Sequence, residues 1–152
     1  MTAIIKRTTL IVRNMEKSIE FYKGVLGMTK YYDNQIILGG DLLPAGKEGD
    51  VTHLTMWKCE DPVIGMIGLL EWIDPVWEAP GITYEVGYGN PVFVAGVESA
   101  EDAYEKAKTL GCKIRAPLSE AEYPAAKGGI MRVRSVGVFD PDGHFFELNQ
   151  TL

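Results

Sequence analysis

The 152 residues, 46% of them hydrophobic and 24% charged, suit one globular domain or two small modules sharing a core. A net charge of −6 with scattered lysines and arginines excludes the basic stripe of a nucleic-acid-binding protein, and no apolar run approaches the ~18 uninterrupted residues of a membrane-spanning helix. Cys59 and Cys112 have no CxxC spacing and no Cys/His cluster, which predicts a reducing, cytoplasmic setting.

The opening stretch, MTAIIKRTTLIV, has no long apolar signal core. Its β-branched residues predict a strand over 4–12. Asn14 is placed to cap a helix in which Met15, Ile19, Tyr22 and Leu26 step by four, three and four. Gly27 ends that helix. Short strands are predicted over 28–32 and 35–38, then a loop, LLPAGKEGD, a strand over 51–58 and a strand over 64–73. The stretch WIDPVWEAPGITYEVGYG reads as a linker from its Pro and Gly content, although its aromatic residues suggest that it packs on something.

The order then repeats. A strand is predicted over 91–97, and Ser99 can cap a helix with Ala100, Ala103, Ala107 and Leu110 on its apolar side. Gly111 ends it, so VLGM and TLGC sit at equivalent helix ends. A short strand over 112–115 precedes APLSEAEYPAAKGG, read as a loop. Strands over 130–139 and 144–149 form a hairpin across the turn Asp140-Pro141-Asp142-Gly143. The sequence therefore predicts an α+β fold made of a duplicated βαβββ module: residues 4–75, a linker over 76–89, and residues 90–150, joined into one domain by shared packing. In the last strand Phe145, Glu147 and Asn149 share one face, and His144, Phe146 and Leu148 the other. Glu147 either points to water or points into a cavity and does chemistry there.

The stretches VRNMEKSIEFYKGVLGM and FDPDGHFFELNQ resemble the two signature stretches of the vicinal oxygen chelate superfamily, which includes glyoxalase I, methylmalonyl-CoA epimerase, extradiol dioxygenases and the fosfomycin and bleomycin resistance proteins. The resemblance covers nearly the whole chain. It implies two modules forming an open, cup-like mixed sheet, and a homodimer. In the family's metal enzymes it implies four inward ligands for one divalent ion, usually His, Glu, His and Glu. The matching positions here are Arg7, Gly68, Val92 (or Asn90 if the strand is bulged) and Glu147. Only Glu147 keeps the ligand. Arginine has no lone pair to offer a metal, and a catalytic divalent ion needs about three protein ligands. The match therefore predicts no metal and no other cofactor.

On the resemblance, Arg7 and Glu147 converge where the ion would sit. They then form either a structural ion pair that plugs an unused site, or a working pair in which Arg7 binds an anionic or carbonyl oxygen while Glu147 orients the ligand or acts as base. Val51, His53, Thr55 and Trp57 share a face. If it is the cup face, His53 and Trp57 form a polar and aromatic ligand wall; otherwise His53 is a satisfied structural group. Val92 would line the cup beside Glu147. Arg132 and Arg134 share a strand face and either attract a carboxylate or phosphate or pair with nearby acids. His144, opposite Glu147 in parity, is expected at the surface. Trp57, Trp72, Trp77, Tyr84 and Tyr88 belong to a pocket, to the core or to a dimer contact. The leading functional expectation is a metal-independent protein that holds a small organic molecule in the cup. The alternative is a lyase, isomerase or epimerase with Glu147 as general base. A metal enzyme with unusual ligands such as His53 and Glu147 is the third.

Overall fold

Strand, helix and three strands occur twice in succession along the computed structural model, which describes residues 1–152. The first set is β1 (Arg7–Ile11), α1 (Met15–Gly24), β2 (Thr29–Ile37), β3 (Val51–Lys58) and β4 (Met66–Asp74). The second is β5 (Val92–Gly96), α2 (Ala100–Thr109), β6 (Ile114–Pro124), β7 (Ile130–Phe139) and β8 (Phe145–Thr151). Each set makes a four-stranded mixed sheet, ordered β1-β4-β3-β2 and β5-β8-β7-β6. In each, the first strand lies parallel to the last, and the other pairings are antiparallel. The chain folds as two compact units, residues 1–22 with 27–81, and residues 23–26 with 82–152. No helix is long and apolar enough to cross a membrane.

Both helices start and stop where local chemistry dictates. Asn14 Oδ1 accepts the Lys17 backbone N–H at 3.0 Å, and Ser99 Oγ accepts that of Asp102 at 3.1 Å, each satisfying a first-turn donor that has no helical partner. Gly27 and Gly111 adopt φ of +67° and +71° at the helix exits, a conformation that costs a side-chain-bearing residue strain. The buried side of α1 is Met15, Ser18, Phe21 and Tyr22; Ile19 and Leu26 are only half-buried, so the stripe is rotated from the one expected. The small stripe Ala100, Ala103 and Ala107 is the buried side of α2, whereas Leu110 is 42% exposed.

Strand parity gives each sheet a helix face and an open face. In the first unit the helix face carries Leu10, Thr55, Trp57 and Leu69, all buried. Thr55 Oγ1 donates to Met15 Sδ on α1, and Glu71 Oε1 accepts the Met15 backbone N–H. In the second unit Val136, Val138, Phe146 and Leu148 are buried on the face that carries Gln150, whose Oε1 accepts the N–H of Ala100 at the start of α2. Burying each large aliphatic side chain here contributes about 1.5–3 kcal/mol.

Two expectations are corrected. The two short strands expected over 28–32 and 35–38 are one strand, β2 (Thr29–Ile37), because Asp33 and Asn34 pair with Thr55 and Leu54 instead of turning. Residues 116–124 of the segment read as a loop belong to β6, an edge strand of 11 residues, and only 125–129 form the turn into β7. Pro117 lies at a register shift and Pro124 at the strand's end, the places where a strand tolerates proline.

Leu69 and Leu148 are fully buried at equivalent points of the two central strands. Replacing either with alanine should lower the urea-unfolding free energy by about 2–5 kcal/mol. A change well under about 1 kcal/mol would contradict the assignment of these faces to the core.

Candidate functional site

The sheet registers place the two halves in correspondence residue by residue. Arg7 pairs with Met66 and Thr9 with Gly68 across β1 and β4; Val92 pairs with Phe145 and Val94 with Glu147 across β5 and β8. Arg7 and Val92 are therefore equivalent positions of the two units, as are Gly68 and Glu147. All four lie on open faces, because their neighbours in parity, Leu10, Leu69 and Leu148, belong to the core. The open face of each unit is described separately.

In the first unit Arg7 extends across the open face. Its Nε–H donates to Thr9 Oγ1 at 3.0 Å and its Nη1 to Met56 Sδ at 2.8 Å. Met56 is the β3 partner of Gly68, so the guanidinium stem crosses above the glycine. A Cβ on residue 68 would meet Thr9 Oγ1 at 2.8 Å and Arg7 Cδ at 3.0 Å. The space that a side chain at position 68 would need is already taken by Arg7 and Thr9. Within the unit no carboxylate pairs with the guanidinium, and the residue is exposed. Its remaining N–H groups present a fixed positive charge to whatever lies on this face.

In the second unit Glu147 is half-buried and held by a short polar chain. Asn149 Nδ2 donates to Glu147 Oε1 at 2.9 Å, and Ser135 Oγ donates to Asn149 Oδ1 at 2.6 Å. This fixes one carboxylate oxygen and leaves the other available to a ligand. The partner of Glu147 on β7 is Gly137. The Phe145 ring lies over it, 3.1 Å from where a Cβ would be, so the missing side chain makes room for the aromatic. Beside Phe145 is a cavity of about 570 Å³ lined by Tyr84, Val86, Val92, Phe139, Arg115 and Glu85. Val92 and Val94, 49% and 64% exposed, continue its apolar edge.

The conditional wall of His53 and Trp57 does not form on the open face. By parity both lie on the helix face. Trp57 is 2% exposed and its Nε1–H donates to Thr55 Oγ1 at 2.9 Å; it is core. The His53 ring bonds Asp33 Oδ1 at 2.7 Å through Nε2. Of the two readings of Arg132 and Arg134, the structure shows the pairing with acids: both sit on the helix face of β7, at its outer end. Arg132 lies 3.0 Å from Glu120 and 3.7 Å from Glu122, and Arg134 lies 2.6 Å from Glu120. Those acids belong to the part of β6 that reads as loop in the sequence. His144 is partly covered and contacts the buried Asp140 at 3.0 Å, which also accepts the N–H groups of Asp142 and His144 and so ties the turn. Trp72 donates to Asp50 and stacks on Trp77 with ring centroids 3.8 Å apart. That stack and the Arg13 guanidinium, donating to the Pro80 carbonyl, line a second cavity of about 440 Å³.

The donor set does not fit a divalent ion. Of the four matched positions, Arg7 offers no lone pair, Gly68 no side chain, and Val92 only hydrocarbon. Asn90 precedes β5 instead of standing on a bulge, and its Oδ1 accepts the Gly87 N–H at 3.1 Å. Elsewhere no three histidine, cysteine, aspartate or glutamate side chains cluster.

The Asp33 carboxyl is held below its ordinary value by the hydrogen bond from His53 and then by that from Lys30. A carboxyl held low in the fold adds stability above its unfolded value, and the gain disappears as pH falls through the folded value. Asp33→Asn should therefore lower the melting temperature slightly near neutrality, by an amount equivalent to no more than about 1 kcal/mol for so exposed a group, and leave it unchanged in strong acid. An equal loss at both ends of a pH series of melting curves would contradict this.

The comparisons with known proteins agree with the geometry. The family model for the Glyoxalase/Bleomycin resistance protein/Dioxygenase superfamily matches residues 4–148. A glyoxalase family protein from Bacillus cereus superposes with a TM-score of 0.81 at 14% identity, covering 100% of this chain and 96% of its own. Glyoxalase I of Leishmania major gives 0.61 at 18%, covering 98% and 87%. A mutant of the genomically encoded fosfomycin resistance protein FosX of Listeria monocytogenes, complexed with Mn(II) and 1S,2S-dihydroxypropylphosphonic acid, gives 0.54 at 20%, covering 97% and 90%. A comparison with curated protein sequences returns no match. From the duplicated registers and the match over nearly its whole length, the chain belongs to the glyoxalase/bleomycin resistance protein/dioxygenase superfamily.

Proposed function

We propose that this chain is a metal-independent binding protein that holds a small organic anion on its open faces. The observation that carries the reading is Arg7, whose guanidinium crosses Gly68 and so occupies the first two of the four positions where the metal enzymes keep ligands. The related fosfomycin resistance protein is complexed with Mn(II) and a phosphonic acid. The present reading keeps the organic anion and replaces the ion's charge with the guanidinium. Guanidinium is well suited to this, since its planar N–H fork matches carboxylate and phosphonate oxygens. Methylphosphonate and propylphosphonate should raise the melting temperature in a dose-dependent way, equally with and without chelator, and Arg7→Gln should abolish the shift. A shift that needs added metal, or that survives Arg7→Gln, would overturn the reading.

The second reading, a lyase, isomerase or epimerase, rests on the Ser135–Asn149–Glu147 chain, which holds a carboxylate in one orientation as a general base requires. The two readings separate on a ligand with an acidic carbon beside a carbonyl, such as 2-oxobutyrate. The enzymatic reading expects solvent deuterium at that carbon, lost in Glu147→Gln. The binding reading expects none beyond the uncatalysed rate in either form.

We also propose a cytoplasmic homodimer. Within each unit's sheet the outer strands β1, β2, β5 and β6 leave edges that proteins commonly cover. Light scattering at tens of micromolar should give twice the chain mass; a monomer would refute it.

A further inference from the structure

The cavity of the second unit is lined by a guanidinium that forms no ion pair within that unit. Arg115 stands where the β6 register shifts between Ile114 and Ala116. Ile114 pairs with Val138 of the helix face, so alternation puts Arg115 on the open side, among the lining of the cavity. Within the unit its guanidinium makes no ion pair and no hydrogen bond, in contrast to Arg132 and Arg134 further along the same hairpin, which share Glu120. The remaining wall is aromatic. Tyr84 meets Phe139 edge-on with centroids 5.3 Å apart, and Phe139 meets Phe145 at the same separation with planes tilted by 56°. Val92 and Val86 complete the apolar side. Two small residues keep the space open: Gly137 accommodates the Phe145 ring, and the Ala116 methyl lies 3.6 Å from the Gly137 Cβ position.

We infer that this cavity binds an aromatic organic anion, its ring against Tyr84, Phe139 and Phe145 and its carboxylate or sulfonate on Arg115. The inference deepens the binding role proposed above and rests on it in taking the open faces as the ligand side. Ring contacts with offset or edge-on geometry suit a planar ligand. The guanidinium supplies two parallel N–H donors to a planar or tetrahedral oxyanion, a charge-assisted bond roughly twice as strong as a neutral one. The remaining charged lining residue, Glu85, is exposed and also has no partner in the unit. It disfavours ligands with a second anionic group near that wall, so a monoanion is selected over a dianion.

The test uses a matched pair of fluorescent probes on the full chain: 8-anilinonaphthalene-1-sulfonate, and the uncharged N-phenyl-1-naphthylamine, which has the same ring system. The wild-type protein should bind both saturably. Arg115→Ala should weaken the sulfonate about tenfold and change the neutral probe by less than about twofold. Arg115→Lys, which keeps charge but loses the fork, should fall between. Val92→Trp, which fills the cavity, should remove both. Glu85→Gln should tighten the sulfonate. Circular dichroism on every variant keeps misfolding from imitating a loss. Equal loss of both probes in Arg115→Ala, or no loss of either, would overturn the assignment. Arg7→Gln separates this inference from the preceding one: sulfonate binding lost in Arg115→Ala but retained in Arg7→Gln upholds the cavity, whereas a phosphonate-induced melting shift that survives Arg7→Gln refutes the role given to Arg7.

Discussion

Each unit depends on a central apolar strand that buries its alternate residues beneath a helix. β4 and β8 are flanked by a parallel strand on one edge and an antiparallel strand on the other. Their alternate residues, Leu69 in one and Phe146 and Leu148 in the other, are buried beneath a short helix. Side-chain alternation has a period of two, so a slip of one residue would send the whole apolar set to the wrong face. Burial of the leucines thereby fixes which residues stand on the opposite, open face. Gly68 and Glu147 owe their positions to their neighbours in the core, and Arg7 and Val92 owe theirs to the parallel register.

The same scaffold has acquired different chemistry at its two equivalent points. In the first unit a glycine lets an arginine side chain lie flat, pinned by a threonine hydroxyl and a methionine sulfur. In the second a glutamate stands upright, oriented by an amide and a hydroxyl. Soft and neutral acceptors around Arg7 orient its guanidinium without neutralising it, which leaves its charge for a ligand. A carboxylate in their place would have formed a closed ion pair. On the proposed reading this is the physical sense in which a fixed cation replaces a bound one, since a shared fold does not by itself carry over a site's chemistry.

Much of the fold was legible because hydrophobic period and capping residues agree. Asn14 and Ser99 cap as expected, and the strands at 51–58 and 130–139 match residue for residue. β6 was hidden by Pro117 and Pro124, since local signals cannot show that a bulge and a strand end will absorb them. In the site, the shared face of Phe145, Glu147 and Asn149 could be read from alternation alone. Alternation could not say which side of β3 meets the helix, and so it left His53 and Trp57 undecided; the Thr55–Met15 contact decides them. Arg132 looked available because its partners Glu120 and Glu122 lay in a segment read as loop. Arg115 gave no signal, because only the pairing of Ile114 with Val138 shows which side of β6 faces the cavity.

The central claim is that a guanidinium has taken over the electrostatic role of the superfamily's divalent ion. Calorimetric titration of Mn(II) and Zn(II) into chelator-treated protein tests it most directly. The account predicts no saturable site, and none in Arg7→His either, since Gly68 and Val92 still offer no donors. A site of about one ion per chain, lost in Glu147→Gln, would contradict it.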